Sequence, residues 1–248
     1  MKVIVRLNKA MAMLGICSRR EADKMISSGH VYVNGELVSI MGSTVLENDV
    51  ITVHGKNHIF GGEGDARIWI YHKPLGLITT HNDTCGRRTV FDDVRTKIKE
   101  RVVSVGRLDI NSEGLLLLTN SGDFARYAES PRTGWERRYK VRLFGTLTQG
   151  IISELEMGTT INGVHYAPIN VRILKQSEGK NTWVDCTLRE GKNREIRNLF
   201  GNFGLQVNRL LRYQYGPYLL KNLRPGELRS GQIPDEYQDR KFHKKEKF

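Results

Sequence analysis

Four consecutive leucines follow a glycine in GRLDINSEGLLLLTN, the stretch from Gly106 to Asn120. LLLLTN is too short for a helix and too apolar for an exposed segment, so it reads as a strand inside a sheet core. VVSVGRLD before it is another apolar strand, and RIWIYHKP further upstream is a third, ended by Pro74. Helices are fewer. Candidates are DFARYAE, then TQGIISELEMG between Thr148 and Gly158, then NREIRNLFGNFG, which places Ile196, Leu199, Phe200 and Phe203 on one face. TTINGVHYAP adds an Asn-Gly hairpin. Hairpins between helices, without regular strand-helix alternation, predict an α+β fold with a mostly antiparallel, mixed sheet flanked by helices.

Residues 1–56 read as a separate small unit. RLNKAMAML predicts a short helix ending before Gly15, and SRREADKMISSG a second one, with Ser18 and Glu21 in capping-box spacing and Gly29 at the end. HVYVNGELVS is a hairpin around Asn34-Gly35, and NDVITVHGK supplies a further strand. The glycine-rich NHIFGGEGDA, residues 57–66, has no period and is expected to link this unit to the domain at 67–234. The tail, 235–248, mixes charges with little that could pack and is expected to be disordered with a basic end.

Thirty-nine Lys and Arg against 27 Asp and Glu give a net charge of +12, which makes a polyanion, above all nucleic acid, the expected partner. No apolar run approaches the roughly 20 residues of a bilayer span, and the first ten residues lack the apolar length of a signal peptide, so a cytoplasmic protein with no membrane partner is expected. Cys17, Cys85 and Cys186 lack CxxC spacing, and His54 and His58 have no neighbouring ligands to complete a metal shell. Neither GxGxxG nor GxxxxGK[ST] occurs. No metal and no cofactor are expected.

Asp109-Ile-Asn111-Ser-Glu113-Gly114 has the opening of a calcium loop, with oxygen-bearing residues at alternate positions and glycine sixth. The ninth and twelfth positions are Leu117 and Asn120, where ligands and a bidentate glutamate are required, so calcium is excluded. An Asp at a strand end more often bonds backbone N–H groups of its own turn. Here an apolar strand delivers Arg107 and Asp109 to the turn and a buried strand leaves it, the kind of rigid setting that holds a functional carboxylate.

In the first unit, Arg19 and Arg20 open a helix whose dipole disfavours cations there. With Arg6, Lys9 and Lys24 they can form a basic face for phosphates, or simply a solvated face. The order R-L-x-K, S-R-R-x-A, V-x-V-N-G in this stretch resembles the αL-type RNA-binding module, and a DNA-binding helix-turn-helix would not follow its second helix at once with a hairpin.

The rest of the chain is similar to bacterial ribosomal RNA pseudouridine synthases. The resemblance rests on GRLDINSEGLLLLTN, HKPLGLITT, GRRTVFD, ERRYKVRLFG, LREGKNREIRNLF and RLLRYQYG, in that family's order, and YHKP, GRRTVFDD and REGKNREIR are most like the large-subunit synthase B type. Ser112 stands where the family usually has threonine, and Ser121 where it often has aspartate. The resemblance implies the pseudouridine synthase fold and an isomerisation in which the uridine N1–C1′ bond breaks, the base turns, and C5 joins C1′. That reaction needs neither redox cofactor nor metal.

By the same resemblance Asp109 is the catalytic carboxylate at the ribose, Arg197 its cationic partner, and Tyr139 the ring that stacks on the flipped base and takes part in proton transfer. Leu210 walls the uracil pocket. Arg194, at the rim, contacts phosphate, and Arg107, Lys73, Arg88, Lys192 and Arg212 are further substrate contacts. The expected partner is ribosomal RNA, or a ribosomal-subunit assembly intermediate, and the expected state a monomer. A small-subunit target, or a non-catalytic RNA-binding assembly factor on the same scaffold, are the alternatives.

Overall fold

The computed structural model describes residues 4–62, 64–176 and 181–239. The chain divides into two compact units, residues 1–66 with 98–102, and residues 67–97 with 103–248.

In the first unit β1 (Val5–Arg6) leads into α1 (Leu7–Met13), and α2 (Arg19–Ser27) follows. The expected capping box is present: Ser18 Oγ accepts from the Glu21 amide at 3.2 Å, and Glu21 Oε2 accepts from the Ser18 amide at 2.9 Å. β2 (Val31–Val33) and β3 (Glu36–Leu37) make the Asn34-Gly35 hairpin, whose two turn residues have φ of 51° and 87°. β4 (Thr44–Val45) pairs with β1, and β5 (Val50–Val53) lies between β2 and β6 (Lys56–Ile59). Leu7, Met11, Ile26, Val31, Ile51 and Phe60 form the core. The stretch expected as a bare linker therefore begins as part of this unit: β6 completes its sheet, and Phe60 is buried beneath it. The backbone pairing of β6 with β5 needs no apolar alternation in β6 itself, which is why the pattern hid it.

The second unit contains β7 (Ile68–Lys73), α3 (Val90–Val94), β8 (Val103–Val105), β9 (Glu113–Thr119), α4 (Gly122–Glu129), β10 (Arg137–Phe144) and α5 (Gln149–Met157). The hairpin β11 (Thr159–Ile161) and β12 (Val164–Tyr166) turns at Asn162-Gly163. β13 (Asn170–Gln176), β14 (Asn181–Leu188), α6 (Glu195–Asn202), β15 (Gln206–Tyr215), β16 (Tyr218–Leu219) and β17 (Leu228–Gly231) follow. Among the described residues the strands join in the order β13-β14-β10-β15-β9-β7-β17, with β8 on β9 and β16 on β15. The β15–β9 ladder is parallel and the other pairings of this sheet are antiparallel. Leu115 to Leu118 are all fully buried, so β9 is covered on both faces. Helices α5 and α6 lie against β13 and β15. Ser121 caps α4, its Oγ accepting from the Phe124 amide at 3.2 Å, and so does the work an aspartate would do there.

The expected disordered tail also needs correction. Residues 235–239 are helical, and Tyr237 is buried with its ring 5.0 Å from Phe124 and 5.1 Å from Tyr127. Trp135 Nε1 donates to Glu236 at 3.2 Å. One aromatic side chain anchors this segment despite its charged composition. Residues 240–248 lie outside the described residues.

Candidate active site

Asp109 sits at the head of a turn whose carbonyls are bonded at every step. Five successive carbonyls each accept a hydrogen bond: Leu108 from Thr79 Oγ1 at 2.8 Å, Asp109 from the Ser112 amide at 3.0 Å, Ile110 from the Gly76 amide at 2.9 Å, Asn111 from Arg197 Nη2 at 2.7 Å, and Ser112 from Lys73 Nζ at 2.8 Å. The Asp109 carboxylate takes no part. Among the described residues it accepts no hydrogen bond, and its ion pair is with Arg194 at 3.7 Å. The structure thus separates the two readings of Asp109: the turn is held by main-chain carbonyls and by donors outside it, not by the Asp109 side chain.

Behind the turn, Gly114 has φ of +105°, and a Cβ there would collide with the Arg212 carbonyl oxygen. Glycine at this point lets β9 and β15 run together as a parallel pair. Lys73, Gly114, Arg212 and Tyr139 then stand side by side on β7, β9, β15 and β10. One row across the sheet links the base of the Asp109 turn to Tyr139. Tyr139 is 8% exposed and Leu210, on the same face, 6%.

Two expected phosphate contacts fail on burial. Lys73 is wholly enclosed, donating to the Pro74 carbonyl at 3.0 Å as well as to Ser112, and burial pushes its pKa down to about 8 against the opposing pull of Asp109 and Glu113. Arg212 is 2% exposed, with Nε on the Leu115 carbonyl at 2.8 Å and its guanidinium carbon 4.9 Å from the centre of the Tyr215 ring. Lys73 is spent on the scaffold, as a buried charge must find its bonds inside the protein, whereas Arg212 binds the scaffold through Nε and keeps a buried Nη2 that finds no hydrogen-bond partner among the described residues. Arg107 is exposed. Arg88 is exposed and paired with Asp93 at 2.9 Å, and Lys192 is paired with Glu190.

Two of the three arginines of REGKNREIR, Arg194 and Arg197, are placed differently from what their helical spacing suggested. Arg197 lies in α6 and spends its guanidinium on the carbonyls of Val207, at 2.8 Å, and of Asn111. Burial and the neighbouring Arg194 hold its pKa below the usual range, with Asp109 acting in the opposite sense. Arg194 is not on the helix face but at its N-cap, in left-handed backbone with φ of 49°, and this turn brings it to Asp109. A non-glycine residue in that region costs about 1–2 kcal/mol, and such strain is concentrated at functional sites. Gly76 and Thr79 were absent from the sequence reading, although their three-residue spacing after Lys73 in HKPLGLITT placed them in one motif. Glu195, also absent from it, is buried beside this corner. It accepts from the Lys192 amide at 2.9 Å, and burial raises its pKa to about 7. Among the described residues no group of three His, Cys, Asp or Glu side chains is placed to hold a metal.

In the first unit Arg6, Arg19, Arg20 and Lys24 are exposed and Lys9 is half-buried. Arg19 Nη2 donates to Asn8 Oδ1 at 3.3 Å, and Asn8 in turn donates to Asp23 at 2.9 Å, so Arg19 is braced against the first helix.

Residues 67–202 match the family of RNA pseudouridylate synthases, and residues 5–51 match the S4 domain. The chain belongs to the RNA pseudouridylate synthase family, a class of isomerase, and carries an RNA-binding S4 domain ahead of the catalytic fold. It is 45% identical over 221 residues to an uncharacterized RNA pseudouridine synthase of Rickettsia felis, covering 89% of this chain and 94% of that one. It is 38% identical to ribosomal large subunit pseudouridine synthase B of Buchnera aphidicola, over 90% of this chain and 88% of the relative. The same enzyme of Pseudomonas aeruginosa is also 38% identical, over 87% of this chain and 56% of the relative. A crystal structure of a pseudouridylate synthase shares the fold, with a TM-score of 0.65 at 24% identity over 95% of this chain and 98% of that one. No described helix is long and apolar enough to cross a membrane.

Proposed function

We propose that this chain is a cytoplasmic, monomeric enzyme that converts one uridine of large-subunit ribosomal RNA, free or within an assembling subunit, to pseudouridine. The carboxylate of Asp109, projecting from a turn whose five carbonyls are all bonded, carries the reading. The large-subunit target is supported by two relatives, each named ribosomal large subunit pseudouridine synthase B.

The basic face of the S4 domain, with Arg6, Lys9, Arg19, Arg20 and Lys24, holds the RNA through its phosphates. The target uridine leaves its stack and lies against Tyr139, with Leu210 as an apolar wall. Asp109 acts at the ribose as the N1–C1′ bond breaks. The base turns, C5 joins C1′, and the proton displaced from C5 ends on N1, so atoms balance without an outside reactant. Arg194 balances the charge at Asp109 in a loose, half-exposed pair, while Arg197 and Lys73 keep the turn from moving. Arg107, Arg88 and Lys192 remain as contacts to RNA.

Unmodified ribosomal RNA incubated with the protein, then mapped by carbodiimide-dependent primer-extension stops, tests the reading. One new stop in the large-subunit RNA is expected with wild type and none with Asp109→Ala. No stop with wild type would sink the enzyme, a stop that survives in Asp109→Ala would sink the role of Asp109, and a stop only in small-subunit RNA would change the target.

A further inference from the structure

Burial along β10 alternates strictly. Arg137, Tyr139, Val141 and Leu143 are buried, while Arg138, Lys140, Arg142 and Phe144 occupy the other face. β14 alternates in step with it, placing Trp183 opposite Arg142 and Asp185 opposite Lys140. On the outer strands the register sets Arg209 against Arg142, and Arg172 and Lys175 against Asp185 and Trp183. Six cations, Arg138, Lys140, Arg142, Arg172, Lys175 and Arg209, therefore share one side of this half of the sheet. Tyr139, Leu210 and Arg212 share the other side, which α5 and α6 cover in part.

The acids on this open face are already engaged. Asp185 accepts from Tyr213 Oη at 2.8 Å and faces Arg172 at 3.6 Å, Glu113 is bound to Arg209, and Glu136 at the edge is bound to Arg138 and Arg189. Among the described residues no carboxylate pairs with Lys140, Arg142 or Lys175, and all three are exposed. Arg142 also stands directly opposite Arg209, and the one carboxylate there, Glu113 on Arg209, leaves this pair of cations with a positive charge in excess. The half-exposed rings on this face carry cations of their own: the Arg209 guanidinium carbon lies 5.9 Å from the Trp183 ring, and Lys140 Nζ lies 5.9 Å from the Tyr213 ring. Rings occupied in this way leave a cradle for phosphates, not a platform for stacked bases.

We infer that this face is a second RNA-binding surface, taking backbone phosphates of the RNA that flanks the target nucleotide on Lys140, Arg142 and Lys175. It rests on the RNA substrate of the proposed function but uses none of the catalytic groups. Such contacts release counterions and leave a mark in salt dependence. They position the RNA without reading its sequence.

The full chain, its Lys140→Ala/Arg142→Ala/Lys175→Ala variant, and a control variant in which Arg95, Lys221 and Arg224, exposed cations outside β10, β13, β14 and β15, are changed to alanine would be compared on transcribed large-subunit ribosomal RNA. Filter binding between 50 and 200 mM salt gives the slope of log K against log salt, and turnover gives kcat and KM. With roughly 0.7 per phosphate on a single strand, losing three contacts should lower the slope by about 2. KM should rise by about tenfold with kcat unchanged, and the control should move neither. A test variant with wild-type slope and affinity would overturn the inference and leave the face to an acidic protein partner. Equal losses in the control would overturn it too, reducing the effect to net charge. If wild type makes no pseudouridine, the proposed function fails, while the binding slopes still decide the surface.

Discussion

The turn that carries Asp109 and the corner that carries Arg194 face each other across 3.7 Å, yet they are built in opposite ways. The turn has five consecutive carbonyls bonded, two of them to cations brought from β7 and α6. The corner has left-handed backbone at a non-glycine residue, no side-chain cap on its helix, and a half-exposed guanidinium. Under the proposed function, rigidity goes to the group that meets a ribose carbon in one geometry, and looseness to the group that balances its charge and lets an RNA strand in and out. Lys73, expected as a substrate contact, and Arg197, expected as the partner of Asp109, are both used in making the first arm stiff.

Breaking the stiff arm at its tip should have the largest effect. Asp109→Asn is expected to bring pseudouridine formation below detection while leaving thermal stability within about a degree of wild type, because the carboxylate supports no part of the turn. A melting curve beside a turnover assay checks both halves. Lys73→Met attacks the same arm from beneath. It orphans the Ser112 carbonyl, at about 1–3 kcal/mol, but relieves the burial of an ammonium whose pKa is already pushed down to about 8, so stability should change little. Asp109 then loses its position, and kcat should fall on the order of 100-fold with a much smaller change in KM.

On the loose arm the two readouts should separate in sign. Arg194→Gly removes the left-handed strain and should stabilise the protein by about 1 kcal/mol in urea titrations, while lowering kcat by roughly tenfold through loss of the charge beside Asp109. The smallest effect belongs to Glu195, the next residue. Its carboxyl keeps a proton in the folded state up to about pH 7, whereas an unfolded glutamate loses it near 4.5. Between those values the folded chain holds more protons, so stability should fall as pH rises through the window. In Glu195→Gln that slope should flatten, which melting temperatures taken from pH 4.5 to 7.5 would reveal.

Much of this was readable from the residues, and the misses have physical causes. The capping box at Ser18, both Asn-Gly hairpins and the helices at DFARYAE and TQGIISELEMG are local features, set by residues within a few positions of one another. β15 does not read as a strand in the sequence because Arg209 and Arg212 interrupt its apolar pattern. Those charges are tolerated only because Glu113 and the Leu115 carbonyl wait on the neighbouring strand. α3 was missed because its capping box ends in Asp92 instead of a longer acid. Exposure was the main blind spot in the site. Lys73 and Arg212 have the chemistry of phosphate ligands, and only the fold shows that they are enclosed. The ion pair of Arg194 with Asp109 was equally hidden, since helical spacing says nothing about a residue that steps out of the helix at its first turn.

β15 belongs to the last quarter of the chain but lies between β10 and β9, in the middle of the sheet. During synthesis, then, β10 and the Glu113–Gly114 end of β9, made much earlier, must wait with open edges until residues 206–215 leave the ribosome. An open edge is a template for pairing with a neighbouring chain. The arrival of β15 closes both edges at once and sets Arg212 against Gly114 beneath the Asp109 turn. The row of residues beneath the Asp109 turn is therefore complete only once a strand from the last quarter of the chain has been inserted.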